Sequence, residues 1–175
     1  MTTPLHERLK KIKTFIFDID GVMTDGSVLA LESGEQTRSF NVKDGYAINR
    51  AILLGYRVAI ISAQNQTGVR NRLQYLGVKD IFLGSSPDGK LPIYRKYIED
   101  NHINEEEVVF MGDDLPDYPV MRLKEVLSAC PADSSPEILA ISDFISEKNG
   151  GKGAVRDLIQ QVMEAQGVWM SWFKE

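Results

Sequence analysis

Phe15-Ile16-Phe17, Val58-Ala59-Ile60-Ile61 and Val108-Val109-Phe110-Met111 are apolar at every position. A strand with one wet face alternates polar and apolar residues, so unbroken runs of this length need cover on both faces. Shorter candidates follow at Ile81-Phe82-Leu83, at 127–130 and at Phe144-Ile145. Between them lie segments of helical period. One opens at Asp44, a plausible N-cap, carries Ala47, Ile48, Ala51, Ile52 and Leu54, and stops at Gly55. Val69, Leu73 and Leu76 form the next stripe, ended by Gly77, and Leu91, Tyr94 and Ile98 form another. Val155, Leu158, Ile159, Val162 and Met163 mark a last helix before Gly167. Strand runs alternating with helical stripes predict an α/β fold: a Rossmann-like three-layer sandwich with a mostly parallel sheet.

Residues 27–42 interrupt that rhythm. Ser27-Val28-Leu29-Ala30-Leu31, the turn Glu32-Ser33-Gly34-Glu35 and residues 36–42 read as a β-hairpin. Directly after an acid-rich turn, it is either a surface hairpin or a flap that covers a site or packs on a neighbouring subunit. The tail, 167–175, holds Trp169, Trp172 and Phe173, which need burial on their own domain or on a second copy.

Bulk properties narrow the function classes. At 175 residues the chain is read as one domain, 1–175, large enough for a full core. A net charge of -5 and the lack of a dense Lys/Arg run argue against nucleic acid as a partner. The single cysteine, Cys130, excludes an internal disulfide framework and fits a reducing compartment. Residues 1–13 are polar, and no run approaches the roughly 20 apolar residues that span a bilayer. A cytoplasmic protein without a membrane partner is expected.

The chemistry concentrates where strands end. Asp18 and Asp20 leave the first strand two residues apart, on the same side, and Gly21 lets the backbone turn sharply beside a ligand. Two acids this close ask for a cation or a shared proton. They suit a nucleophile and a general acid/base held together by Mg2+. Ser62 ends the second run and can donate to a phosphate oxygen or simply cap a helix. Lys90 follows the loop 85–89 at a helix start, where the dipole opposes a cation, so an anionic partner is expected. Gly112-Asp113-Asp114-Leu115-Pro116-Asp117 puts three acids after a buried strand. Mg2+ needs few protein carboxylates, so Asp113 is the expected ligand, with Asp114 and Asp117 in support. Open α/β sheets bind ligands along the edge where these strands end. Asn41 and Lys43, where the hairpin returns, are candidate substrate contacts with Asp44. Arg70 and Arg72, one turn beyond Ser62, are candidates for a second anionic group.

Together the four pieces resemble the haloacid dehalogenase superfamily of phosphotransferases, in that family's order. The segments 18–26, 41–46, 112–117 and 150–156 are similar to its capless branch, the 3-deoxy-D-manno-octulosonate 8-phosphate (KDO 8-phosphate) phosphatases. The resemblance implies an aspartyl-phosphate on Asp18 and a general acid/base in Asp20. It implies Mg2+ held by Asp18, by the backbone carbonyl of Asp20 and by Asp113, with Ser62 and Lys90 on the phosphoryl oxygens. It also implies a sugar-acid phosphate substrate in lipopolysaccharide biosynthesis and a homotetramer in which the hairpin substitutes for a cap domain. A nine-carbon sugar-acid phosphate is the alternative substrate. A phospho-accepting receiver and a non-catalytic assembly subunit are the alternatives in other classes. Many relatives have Ser-Gly-Arg where this chain has Ser62-Ala63-Gln64; if that arginine helps read a sugar carboxylate, another residue must take over, with Arg70 or Arg72 the nearest candidates.

Overall fold

The computed structural model describes residues 4–84 and 89–173. The loop segment 85–88 and residues 174–175, both named above, lie outside the described residues. In chain order the elements are α1 (Leu5–Leu9), β1 (Thr14–Phe17), β2 (Leu29–Ala30), β3 (Gln36–Thr37), α2 (Val42–Leu53), β4 (Arg57–Ser62), α3 (Thr67–Tyr75) and β5 (Asp80–Leu83). There follow α4 (Leu91–Asp100), β6 (Val108–Met111), α5 (Tyr118–Met121), β7 (Leu127–Cys130), α6 (Pro136–Leu139), β8 (Phe144–Ile145) and α7 (Ala154–Ala165).

Six strands form one parallel sheet in the order β5-β4-β1-β6-β7-β8. The period-2 rule divides the central strand between two cores. Phe15 and Phe17 face a layer built with α2 and α7, through Ala47, Ile48, Ala51, Leu158, Ile159 and Val162. Ile16 faces the opposite layer, with Tyr94 and Ile98 of α4, Val120 and Met121 of α5 and Ile138 of α6. All of β1, β6 and β7 is buried, as the unbroken apolar runs require. Each fully buried side chain of this size contributes about 1.5–3 kcal/mol. The chain leaves β1 for β4 on one side and later returns to β6 on the other. That reversal creates a crevice at the C-terminal end of β1, the place where open α/β sheets bind ligands.

Two boundaries differ from the sequence reading. The helix expected to open at Asp44 begins two residues earlier, with Asn41 as its N-cap accepting from the Lys43 amide at 2.8 Å. Asp44 instead lies in the first turn, 1% exposed, and accepts from the Arg156 amide at 2.8 Å. It thus ties the start of α2 to the start of α7. The hairpin is also shorter than its pattern: β2 and β3 pair only through Leu29 with Thr37 and Ala30 with Gln36. Both strands are exposed and pair with each other rather than with the main sheet. Among the described residues nothing packs over them, and only the turn-proximal pairs form a ladder.

The aromatic tail folds back on its own protein. Trp169 and Trp172 pack against the α2–α7 core, their rings 5.3 Å apart and edge-on. Tyr46 meets Trp172 at 6.5 Å, and the Arg50 guanidinium lies over both rings. Phe173 stays exposed. No described helix is long and apolar enough to cross a membrane.

Candidate active site

Every strand end flagged by its sequence opens into the same crevice. Asp18 follows β1, Ser62 ends β4 and Asp113 follows β6, the three neighbouring strands at the point of reversal. Asp18 and Ser62 are 6% and 2% exposed. Lys90 occupies the N-cap position of α4 and is buried to the same degree as Ser62. Its expected anionic partners are present: Nζ lies 2.8 Å from Asp18 Oδ1 and 2.5 Å from Asp117 Oδ1. Burial alone would push the Lys90 ammonium down, but Asp18 and then Asp117 outweigh it and hold it above the usual lysine value.

Asp117 organises the loop after β6. One oxygen takes Lys90, and the other accepts from the amides of Asp113 at 3.1 Å and Asp114 at 3.4 Å. Asp117, expected in support of Asp113, contacts both Lys90 and the Asp113 loop and lies close enough to Asp18 and Asp113 to share a metal ion with them. Asp114 is exposed and contributes its amide rather than its carboxylate. Glycines permit the close approach: Gly21 (φ 84°) faces the Asp113 carboxylate so tightly that a Cβ would overlap it. Gly112 stands in the same relation to Asp117.

A divalent cation fits this arrangement. Asp18, Asp113 and Asp117 each offer a carboxylate oxygen, and the three lie within 4.8 Å of one another. Asp18 Oδ1 is buried and, although it is close to Lys90 in charge contact, makes no hydrogen bond among the described residues. One lysine opposite three acids leaves an excess of negative charge. Burial, and then repulsion by Asp18 and Asp117, pushes the Asp113 carboxyl up to about 8. Burial, followed by Asp18, raises Asp117 to about 6. Those shifts express charge repulsion that a bound cation would remove.

Asp20 points elsewhere. Arg38, just past β3, grips both of its oxygens, Nε to Oδ1 at 2.5 Å and Nη2 to Oδ2 at 2.9 Å. The third arm of the guanidinium donates to Gln66 Oε1 at 2.6 Å. No sequence signal singled out Arg38, because its partners are 18 and 28 residues away and neither belongs to its own hairpin. The missing cation after Ser62 was the available hint. Arg38 and Gln66 line a cleft of about 680 Å³ between the hairpin and the start of α3, together with Phe40, Asn65, Thr67 and Arg72.

The remaining candidates divide. Arg72 reaches that cleft, whereas Arg70 donates to the Ile81 carbonyl at 3.5 Å. Asn41 uses its oxygen on the Lys43 amide and its NH2 on the Gly151 carbonyl at 3.3 Å, which makes it a joint between segments. Lys43 is exposed. Gly150 and Gly151 close over the turn that follows β1: the Gly151 amide donates to the Val22 carbonyl at 3.0 Å, and a Cβ on Gly150 would collide with the Gly21 carbonyl.

No family model matches the chain. Among curated proteins it is 35% identical over 167 residues to the 3-deoxy-D-manno-octulosonate 8-phosphate phosphatase of Salmonella typhi, covering 95% of this chain and 87% of the relative. Among solved structures, the same phosphatase from Yersinia pestis superposes with a TM-score of 0.89 at 34% identity, covering 94% of this chain and 87% of that one. The Moraxella catarrhalis phosphatase, crystallised with magnesium, phosphate and KDO, gives 0.89 at 29% identity over 97% of each chain.

Proposed function

The chain belongs to the 3-deoxy-D-manno-octulosonate 8-phosphate phosphatase family, the capless branch of the haloacid dehalogenase superfamily, and from that premise we propose that it hydrolyses KDO 8-phosphate to the sugar acid and phosphate. The reaction is a step in lipopolysaccharide synthesis. The observation that carries the reading is the buried Asp18 carboxylate, held by Lys90 and facing Asp113 at the reversal point of the sheet.

In this reading Asp18 attacks phosphorus and forms an aspartyl-phosphate. Asp20 gives a proton to the departing sugar oxygen and later takes one from the water that hydrolyses the intermediate. Lys90 neutralises charge on the phosphoryl oxygens as they approach, and Ser62 donates to another of them. Asp117 fixes Lys90 and the Asp113 loop and is a positioning residue. Asp18 and Asp113, with the backbone carbonyl of Asp20, would hold Mg2+, which supplies the positive charge that lets a carboxylate approach a phosphate. The sugar extends past Asp20 into the cleft beneath the hairpin, where Arg72 offers a cation. We place the enzyme in the cytoplasm as one domain that assembles into a homotetramer, the hairpin standing in for a cap. The exposed apolar side chains of that region, Val28, Leu29, Leu31 and Val42, support an assembly through it.

Phosphate release from KDO 8-phosphate, a nine-carbon sugar-acid phosphate and neutral sugar phosphates, with Mg2+ and with EDTA, tests the assignment. Mg2+-dependent release favouring KDO 8-phosphate and lost in Asp18→Asn is the expected result. Preference for the nine-carbon acid would keep the chemistry and change the substrate. Release that survives in Asp18→Asn would overturn the mechanism.

A further inference from the structure

Arg38 joins the catalytic crevice to the cleft. It comes from a hairpin whose strands are exposed, yet its own side chain is only 5% exposed. Nε and Nη2 cover the two oxygens of Asp20, and Nη1 is fixed by Gln66. A two-pronged pair of this kind is the strongest geometry available to a guanidinium and a carboxylate. Each Asp20 oxygen accepts from the guanidinium, so the oxygen that carries a proton to the leaving group must part from its donor. When a substrate reaches Asp20, the guanidinium has to give up part of that contact. A desolvated guanidinium without a counter-charge is costly, so its release needs another anion in the cleft.

A sugar acid brings that anion itself. The position after Ser62 holds Ala63 and Gln64, so no cation from that turn competes for the carboxylate. Arg70 is turned to the Ile81 carbonyl. Arg72 lines the cleft and lies over the Tyr75 ring at 5.9 Å, whereas the ion pair recorded for Asp20 is with Arg38. Arg38 alone among these three contacts a catalytic residue.

We propose that Arg38 reads the substrate's carboxylate, exchanging Asp20 for it when the sugar acid binds. The inference rests on the phosphatase reading above. Its consequence is that recognition and turnover are coupled. A phosphate ester with no carboxylate leaves Arg38 across Asp20 and reacts slowly even when bound, so selectivity appears in kcat as well as in KM.

Steady-state kinetics on KDO 8-phosphate and glucose 6-phosphate, for the wild type, Arg38→Ala, Arg38→Lys and Arg72→Ala, test this directly. Arg38→Ala should lower kcat/KM on KDO 8-phosphate about 100-fold, the loss expected of a desolvated charge pair. On glucose 6-phosphate its kcat should hold or rise, so the preference collapses. Arg38→Lys keeps the charge without the fork and should fall between, which separates recognition from misfolding. An equal loss on both substrates would show that Arg38 only braces Asp20, and an unchanged preference would show that it reads nothing. Collapse in Arg72→Ala instead would transfer the role and equally overturn the proposal. A wild type that favours another carboxylate-bearing sugar phosphate overturns the KDO assignment while leaving the Arg38 test intact on that substrate. A wild type that favours neutral esters sinks both.

Discussion

The crevice at the end of β1 and the cleft beneath the hairpin adjoin each other, yet they are built on opposite principles. In the crevice Asp18, Ser62, Lys90 and Asp117 are all nearly buried and sit at the ends of sheet strands or helices. Lys90 is gripped by two carboxylates, and Asp117 by a lysine and two backbone amides. The cleft has one wall made of two-residue strands that pair only with each other. Its main fixed point is Arg38, anchored to the crevice through Asp20. On the proposed reading, chemistry is placed where the scaffold over-determines each atom, and substrate choice where backbone can vary without touching the core.

The largest expected effect would break the comparison outright. Asp18→Asn should lower turnover by about 10⁴-fold or more on every substrate, since the proposed nucleophile is lost. Appreciable residual phosphate release would mean that the crevice is not where the reaction occurs. Lys90→Met comes next, with kcat lower by about 100- to 1,000-fold. The same change leaves Asp18 and Asp117 buried without their counter-charge and should cost about 3–5 kcal/mol in urea unfolding. A change confined to KM would place Lys90 with the recognition residues instead.

Metal and pH sharpen the contrast further. Asp113 and Asp117, raised to about 8 and about 6, keep their protons to higher pH in the folded, metal-free protein than in the unfolded chain. Between roughly pH 4 and these values the native state binds more protons than the unfolded chain. The associated stability is therefore present in acid and lost as pH rises towards 8. The melting temperature of the EDTA-treated protein should carry this falling component between pH 5 and 8, and saturating Mg2+ should raise it most at pH 8. Asp113→Asn should remove much of the slope and much of the Mg2+ response. A Mg2+ shift independent of pH in the wild type would argue against a carboxylate-held ion. The smallest effect belongs to the edge of the cleft: Asn41→Ala should cost about 1 kcal/mol of stability as the cap of α2 is lost. If it abolished turnover as well, Asn41 would be a substrate contact after all.

The same division governs how far the molecule can be read from its residues. A strand buried on both faces announces itself as an unbroken apolar run, and an acid just past it has few structural excuses. The sheet and the meeting of Asp18, Ser62, Lys90 and Asp113 were legible for that reason. Asn41 and Asp44 are both good cap residues three positions apart, and nothing local reveals that Asp44 is instead buried against the Arg156 amide. The polar and apolar mixture of 27–42 continues past the ladder, so the hairpin looked longer than its two residue pairs. Arg70 and Arg72 are two positions apart on a helix and point in different directions, so at most one could face the cleft. Arg38 was invisible because its role depends on loops brought together only by the finished fold.

The closure of Gly150 and Gly151 over the Gly21–Asp25 turn also has a temporal side. The Gly21–Asp25 turn is made early, but the backbone that seals it, and the α7 amide that anchors Asp44, follow more than 120 residues later. A nascent chain halted before residue 150 can hold Asp18 and Asp113 yet lacks the clasp that shapes the turn between them. Stalled chains of increasing length, assayed for phosphate release, should stay silent until that clasp has emerged and then switch on over a short interval; smooth growth from residue 120 onward would show that the clasp is dispensable.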